Sequence, residues 1–137
     1  MSGQTSTALL NDLLNRLSRS WLHYIGEAWP WTSSEDAERL EKFQGLVRRQ
    51  NFAAERIADL LTDRNAVFSQ CSYPFDGSQV NYVMLDFVKP RIIVDEQTIL
   101  AALKATAEAL QGDAEALRLI EQVTADEEQT LAELTAL

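Results

Sequence analysis

The chain has 137 residues, 46% of them hydrophobic, and carries 21 acids against 12 bases for a formal charge of −9. That length suits one domain around one core, and the apolar fraction belongs to a folded chain rather than a disordered one. The acidic balance argues against a nucleic-acid backbone as partner, because phosphates call for a basic footprint. No apolar run approaches the ~20 residues of a membrane span. The first residues, MSGQTSTALLNDLLNR, have neither the basic start nor the apolar stretch of a secretory signal. The single cysteine, Cys71, leaves no internal disulfide and fits a reducing cytoplasm.

Leu10, Leu14, Leu17, Trp21, Tyr24 and Ala28 recur at alternating steps of four and three, and Leu13 and Ile25 widen the stripe. This spacing predicts a helix from Thr7 to Ala28, stopped by Pro30. Thr32, Ser33 and Ser34 are candidate N-caps ahead of Glu35, Asp36 and Glu38. A second helix then aligns Leu40, Phe43, Val47, Gln50, Ala54, Ile57 and Leu61, with Arg48, Asn51, Glu55 and Thr62 on the opposite, wet face. The linker of about five residues makes the two helices antiparallel neighbours.

Residues 65–91 are too many for an ordinary helix–helix turn. SQCSYPFDGS is turn chemistry, whereas QVNYVMLDFVK is apolar and β-branched enough to suggest a strand. A lone strand would leave its backbone unsatisfied, so the expectation is a short helix over about Gln79–Val88, ended or kinked at Pro90. Ile92, Glu96, Ile99, Leu103, Thr106 and Leu110 mark a third helix, and Ala116, Ile120, Val123, Glu127, Thr130, Leu134 and Leu137 a fourth. Between them Gly112 reads as a C-cap and Asp113 as an N-cap, making a second antiparallel hairpin. Residues 91–137 hold ten acids and three bases, which reads as a solvated acidic face or as a docking surface for a basic partner.

Two hairpins joined by a long connection describe an all-α four-helix bundle, residues 1–137 as one domain, whose crossover contains a short extra helix. The stretches WLHYIGEAWPWT, RRQNFAAERIADLL and SYPFDGSQVNYVMLDFVKPRIIVDEQTI, with the Glu-rich last helix, resemble a branch of the ferritin-like superfamily over nearly the whole chain. The resemblance implies a mid-bundle pair of metal ions, held by one Glu on each of two helices and a Glu-x-x-His on each of the other two, as in ferritins and rubrerythrins. Positions i and i+3 share a helix face, so both side chains of such a motif reach one ion pair.

Compared residue by residue with that pattern, the chain supplies half of it. Glu96 and Glu127 fall on inward stripes at nearly the same height, and Thr130 stands where the histidine of the last helix would be. Gln50 is inward on the second helix with Ala53 three residues on, and Leu13, Leu14 and Leu17 are expected opposite it. Glu27 and Glu55 lie too far apart to substitute, Glu55 on the wet face. His23, the only histidine, is off the stripe and reads as a rim residue.

The metal site is therefore read as vestigial and no cofactor is expected. For Glu96 and Glu127 three readings stay open: ordinary, partly exposed carboxylates; a buried polar cluster with Gln50, Thr106, Thr130 or Tyr24 in which one carboxyl keeps its proton; or weak divalent-metal binding through oxygen ligands. Cys71, without a neighbouring cation, reads as inert. Arg48, Arg49 and Arg56 read as solvated or paired with acids such as Glu55.

Trp21 and Tyr24 fit the core. Trp29 and Trp31 around Pro30, and Tyr73 and Phe75 around Pro74, read either as caps over the core ends or as a subunit interface. Ferritin-like proteins commonly assemble, so the resemblance implies a homodimer, with no nucleic-acid or membrane partner. The functional expectation is a non-catalytic bundle acting by binding or self-association. The alternative is a metal-binding oxidoreductase with an oxygen-ligand site at Glu96 and Glu127.

Overall fold

The leucine-rich opening of the chain is helical, but as two helices rather than one. A computed structural model describes residues 3–28, 37–68 and 85–137, and places α1 at Gly3–Ser18 and α2 at Trp21–Ala28. The break falls at Ser20. Its hydroxyl accepts the His23 backbone N–H at 2.9 Å, an N-cap geometry, while Asp95 Oδ2 accepts the Trp21 N–H at 2.8 Å. The predicted uninterrupted helix over Thr7–Ala28 is thus corrected, and with it the stripe. Leu10, Leu13, Leu14 and Leu17 are buried as expected, but beyond the break Leu22, Ile25 and Gly26 face inward. Trp21 and Tyr24 are half-buried, their rings meeting edge to face at 6.3 Å.

Three long helices follow, α3 at Ala37–Asp63, α4 at Leu85–Ala109 and α5 at Ala114–Ala136. The wet face assigned to α3 is exposed at Arg48, Asn51, Glu55 and Thr62. At its C-terminus Asn65 takes a left-handed φ of 56°, and Asn65 N–H and Ala66 N–H close on the carbonyls of Thr62 and Leu61. This is a Schellman ending built on asparagine, one of the few residues besides glycine that tolerates that conformation. Gly112, expected to play this part for α4, does not have a positive φ. The α4–α5 turn instead closes through Asp113 N–H on Leu110 O at 2.9 Å, and Asp113 then caps α5 by accepting Ala116 N–H at 3.2 Å.

Of the short helix expected over about Gln79–Val88, ended or kinked at Pro90, only residues 85–88 are described. Residues 85–88 belong to the same helix as 91–109, and α4 runs through Pro90. Pro90, the sixth residue of α4, gives up the backbone bond to the carbonyl four residues back, a cost the helix carries. The remainder of that segment, like Cys71, Tyr73, Phe75, Trp29, Trp31 and the caps at 32–34, lies outside the described residues.

Helix directions follow from the cross-helix bonds. Arg39 Nε reaches Leu137 O at 3.0 Å, while Arg64 grips Asp113 through two bonds of 2.7 and 2.8 Å, so α3 and α5 are antiparallel. The tight turn at 110–113 makes α4 and α5 antiparallel as well, and α3 and α4 therefore run the same way. Ser6 of α1 meets Asp113, and Gly26 of α2 packs on Val47, so the α1–α2 pillar is antiparallel to α3. The four-pillar all-α bundle is thus in place, with no strand among the described residues. No described helix is long and apolar enough to cross a membrane.

Three arginines, Arg49 and Arg56 of α3 and Arg64 just past its end, stitch the seam to α5 and its N-cap. Arg49 meets Glu133 at 2.5 Å, Arg56 meets Asp126 at 2.6 Å, and Arg64 joins Asp113 and Glu115. The spacing of seven and eight residues returns each arginine to the same helix side. Their partners are acids of α5 and its N-cap Asp113 rather than Glu55, which is exposed. Part of the C-terminal acidic excess is thereby neutralised within the fold.

Candidate functional site

The hydrophobic interior is in two parts. One gathers Leu10, Leu13, Leu14 and Leu17 with Ala53, Ile57, Leu61, Ile99, Leu103, Ile120 and Val123. The other gathers Leu22, Ile25, Phe43, Leu46, Val47, Val88, Ile92 and Leu134. On each pillar the residue between the two parts is polar and buried: Ser20 before α2, Gln50 on α3, Glu96 on α4, and Glu127 with Thr130 on α5. A polar layer therefore cuts across the bundle at one height.

Gln50 is its hub. The Nε2 amide donates to Glu96 Oε1 at 2.5 Å and to Glu127 Oε1 at 3.0 Å, and the Oε1 carbonyl accepts the Ser20 hydroxyl. Thr130 hydrogen-bonds Glu127, one helical turn away, and its oxygen accepts from Arg49 Nη1 at 3.3 Å. The second carboxylate oxygens, Glu96 Oε2 and Glu127 Oε2, are buried with no hydrogen-bond partner. This arrangement overturns the reading of the two glutamates as partly exposed: both are fully buried.

Burial disfavours charge here more than any neighbour does. It pushes the Glu96 carboxyl well above the usual carboxylate range, the approach of Glu127 adds to the push, and the Gln50 amide opposes it. Burial likewise raises Glu127, to about 7, against the opposing Gln50 bond, with Asp126 adding to the rise and Arg49 and Thr130 opposing it. Two carboxyls converging on one amide nitrogen in a buried layer cannot both ionise cheaply, so burial and their mutual approach favour a proton shared by the pair. Asp95, next in sequence to Glu96, is raised by burial too, and its bond from Trp21 N–H works the other way.

Leu13, Leu14 and Leu17, expected opposite Gln50, lie in the first apolar cluster with Ala53 and Ile57. The break after α1 places Ser20 there instead. Ser20 and the supporting Asp95 and Arg49 are the members that the sequence reading missed. The signal lay in Ser18-Arg19-Ser20: two serines within three residues are poor helix-interior choices and good caps. Thr106 is buried but ten residues beyond Glu96 on α4, roughly 15 Å along the axis, outside the layer. Tyr24 stands beside Trp21, and His23 is half-buried near the start of α2.

As a di-metal centre the layer does not fit. Glutamine, serine and threonine occupy it where carboxylates and histidines would be needed, and no three of His, Cys, Asp and Glu converge among the described residues. Comparison with protein-family models, curated proteins and solved structures returns no match.

Proposed function

We propose that this chain is a ferritin-like bundle whose di-metal centre has been replaced by a proton-holding hydrogen-bonded layer, and that it acts by binding or self-association rather than by catalysis. The carrying observation is the Gln50 amide, which donates to both Glu96 and Glu127 at the height where the resemblance would put the ions. An uncharged donor there does for two carboxyls what a cation would do, without redox chemistry. The parallel course of α3 and α4, which a ferritin-type crossover requires, supports the same reading. The test is anaerobic exposure to excess Fe(II), desalting, and reoxygenation. The proposal expects no retained iron and no oxygen-dependent Fe(II) oxidation; retained iron that turns over oxygen would end it.

A second reading has one observation in its favour. Glu96 Oε2 and Glu127 Oε2 are buried and unpartnered, and with Gln50 Oε1 and Ser20 Oγ they offer an all-oxygen donor set for a hard divalent cation. Stoichiometric Mn(II) binding abolished by Glu127→Ala would favour it.

A further inference from the structure

The α4 helix has two stripes. One, through Val88, Ile92, Glu96, Ile99, Leu103 and Leu110, faces the bundle. The other runs through Phe87, Arg91, Val94, Thr98, Ala101, Ala105 and Glu108, again at steps of four and three, and every one of its members is exposed. Phe87 is 66% and Val94 62% accessible, two of the four large apolar side chains in the open among the described residues. A surface helix ordinarily buries its one apolar stripe, and this row, with Phe87, Val94, Ala101 and Ala105 among Arg91, Thr98 and Glu108, has the 3.5-residue spacing of a helix-pair seam. Among the described residues neither Arg91 nor Glu108 is in an ion pair.

We propose that this stripe is the seam of a homodimer, in which α4 packs antiparallel on α4 of a second copy about a two-fold axis midway between Thr98 and Ala101. The inference rests on the self-association reading above and names its surface. The sequence of the stripe is self-complementary when reversed. Thr98 then meets Ala101 of the second copy, Val94 meets Ala105, Arg91 meets Glu108, and Phe87 lies over the turn at Gln111–Gly112. The larger apolar residues occupy the N-terminal half and the alanines the C-terminal half, so Phe87 and Val94 are opposite Gly112 and Ala105. The two-fold makes each contact twice, placing an Arg91–Glu108 pair at both ends. In the parallel alternative Arg91 would face Arg91 and Glu108 would face Glu108, which opposes it. A helix pair along the 25 residues of α4 buries on the order of 1,000 Å², the lower bound for a specific interface.

The test is sedimentation of the full chain over a concentration series, as wild type, Arg91→Glu, Glu108→Arg, and an equimolar mixture of the two variants. Each variant alone sets like charges against each other at both ends, so dimerisation should weaken by about tenfold. In the mixture one chain carries acid at both positions and the other base, so dimer should return, as the heterodimer. These positions are exposed, and circular dichroism should show unchanged helicity. A wild-type dimer whose affinity neither variant changes would overturn the α4 seam while leaving self-association standing. A wild type that stays monomeric throughout the series would overturn both.

Discussion

The Gln50 amide nitrogen lies 2.5 Å from Glu96 Oε1, and the same nitrogen is 3.0 Å from Glu127 Oε1. One neutral side chain thus satisfies an oxygen on each of two helices, and its carbonyl is in turn bonded by Ser20 on a third pillar. Gln50→Leu keeps the volume and deletes every one of these bonds. It should destabilise the fold by about 2–4 kcal/mol at pH 8, where the carboxyls are most charged, and by less at pH 5. Urea unfolding at the two pH values checks it; a pH-independent loss would mean that Gln50 matters only for packing.

The pH dependence of the wild type has a defined sign. Glu96 and Glu127 hold their protons more tightly folded than unfolded. The stability they contribute is therefore complete below the ordinary carboxyl value of 4.5 and is lost as pH rises through about 7. Unfolding free energy should fall between pH 5 and 8. Glu127→Gln should flatten that slope and leave the variant more stable than wild type at pH 8. A wild-type stability that rises over this interval would refute the assignment.

At the other end of the bundle the sign reverses. The Arg64 guanidinium holds Asp113 far below its usual range, with the Ala116 N–H and Ser6 helping against burial. That contribution is complete above the ordinary value of 3.8 and is lost progressively as the pH falls from there through the much lower folded value. Both side chains are mostly buried and the contact is bidentate, so Arg64→Ala should cost about 1–2 kcal/mol at pH 7. Thermal melts at pH 7 and pH 2.5 should show the full penalty at the first and a reduced one at the second.

How much of this was legible in the sequence differs between fold and site. Periodicity located the long helices because α3, α5 and α4 beyond Pro90 each bury a continuous stripe that no local signal contradicts. It also put Gln50, Glu96, Glu127 and Thr130 inward, because a polar residue in an apolar register keeps its phase. It failed at Ser20, where a cap hydrogen bond to His23 and a long-range bond from Trp21 to Asp95 together break the register. It read Pro90 as an end or a kink where α4 runs on, and Gly112 as a C-cap where the α4–α5 turn closes through Asp113 N–H on Leu110 O with no left-handed residue. Whether an inward glutamate would be buried or swing to solvent depends on what three other helices present to it, which a single helix pattern does not encode.

Close packing at Gly26 gives a further prediction. A Cβ there would sit 2.7 Å from Val47 Cγ2, and valine on a helix has essentially one rotamer with which to yield. Gly26→Ala should therefore destabilise by about 1–2 kcal/mol, although alanine is the better helix former. In a Val47→Ala background the same substitution should be neutral or stabilising, which a double-mutant cycle would read.

The central claim is that the mid-bundle carboxyls are held by a proton and an amide rather than by an ion. Infrared difference spectroscopy of the carboxylic-acid C=O stretch at pH 6 tests it most directly, on wild type and Glu96→Gln, before and after excess Mn(II). The account predicts a protonated-carboxyl band that Glu96→Gln removes and Mn(II) leaves unchanged. A band that vanishes when Mn(II) is added, with proton release, would contradict it and make the layer a metal site.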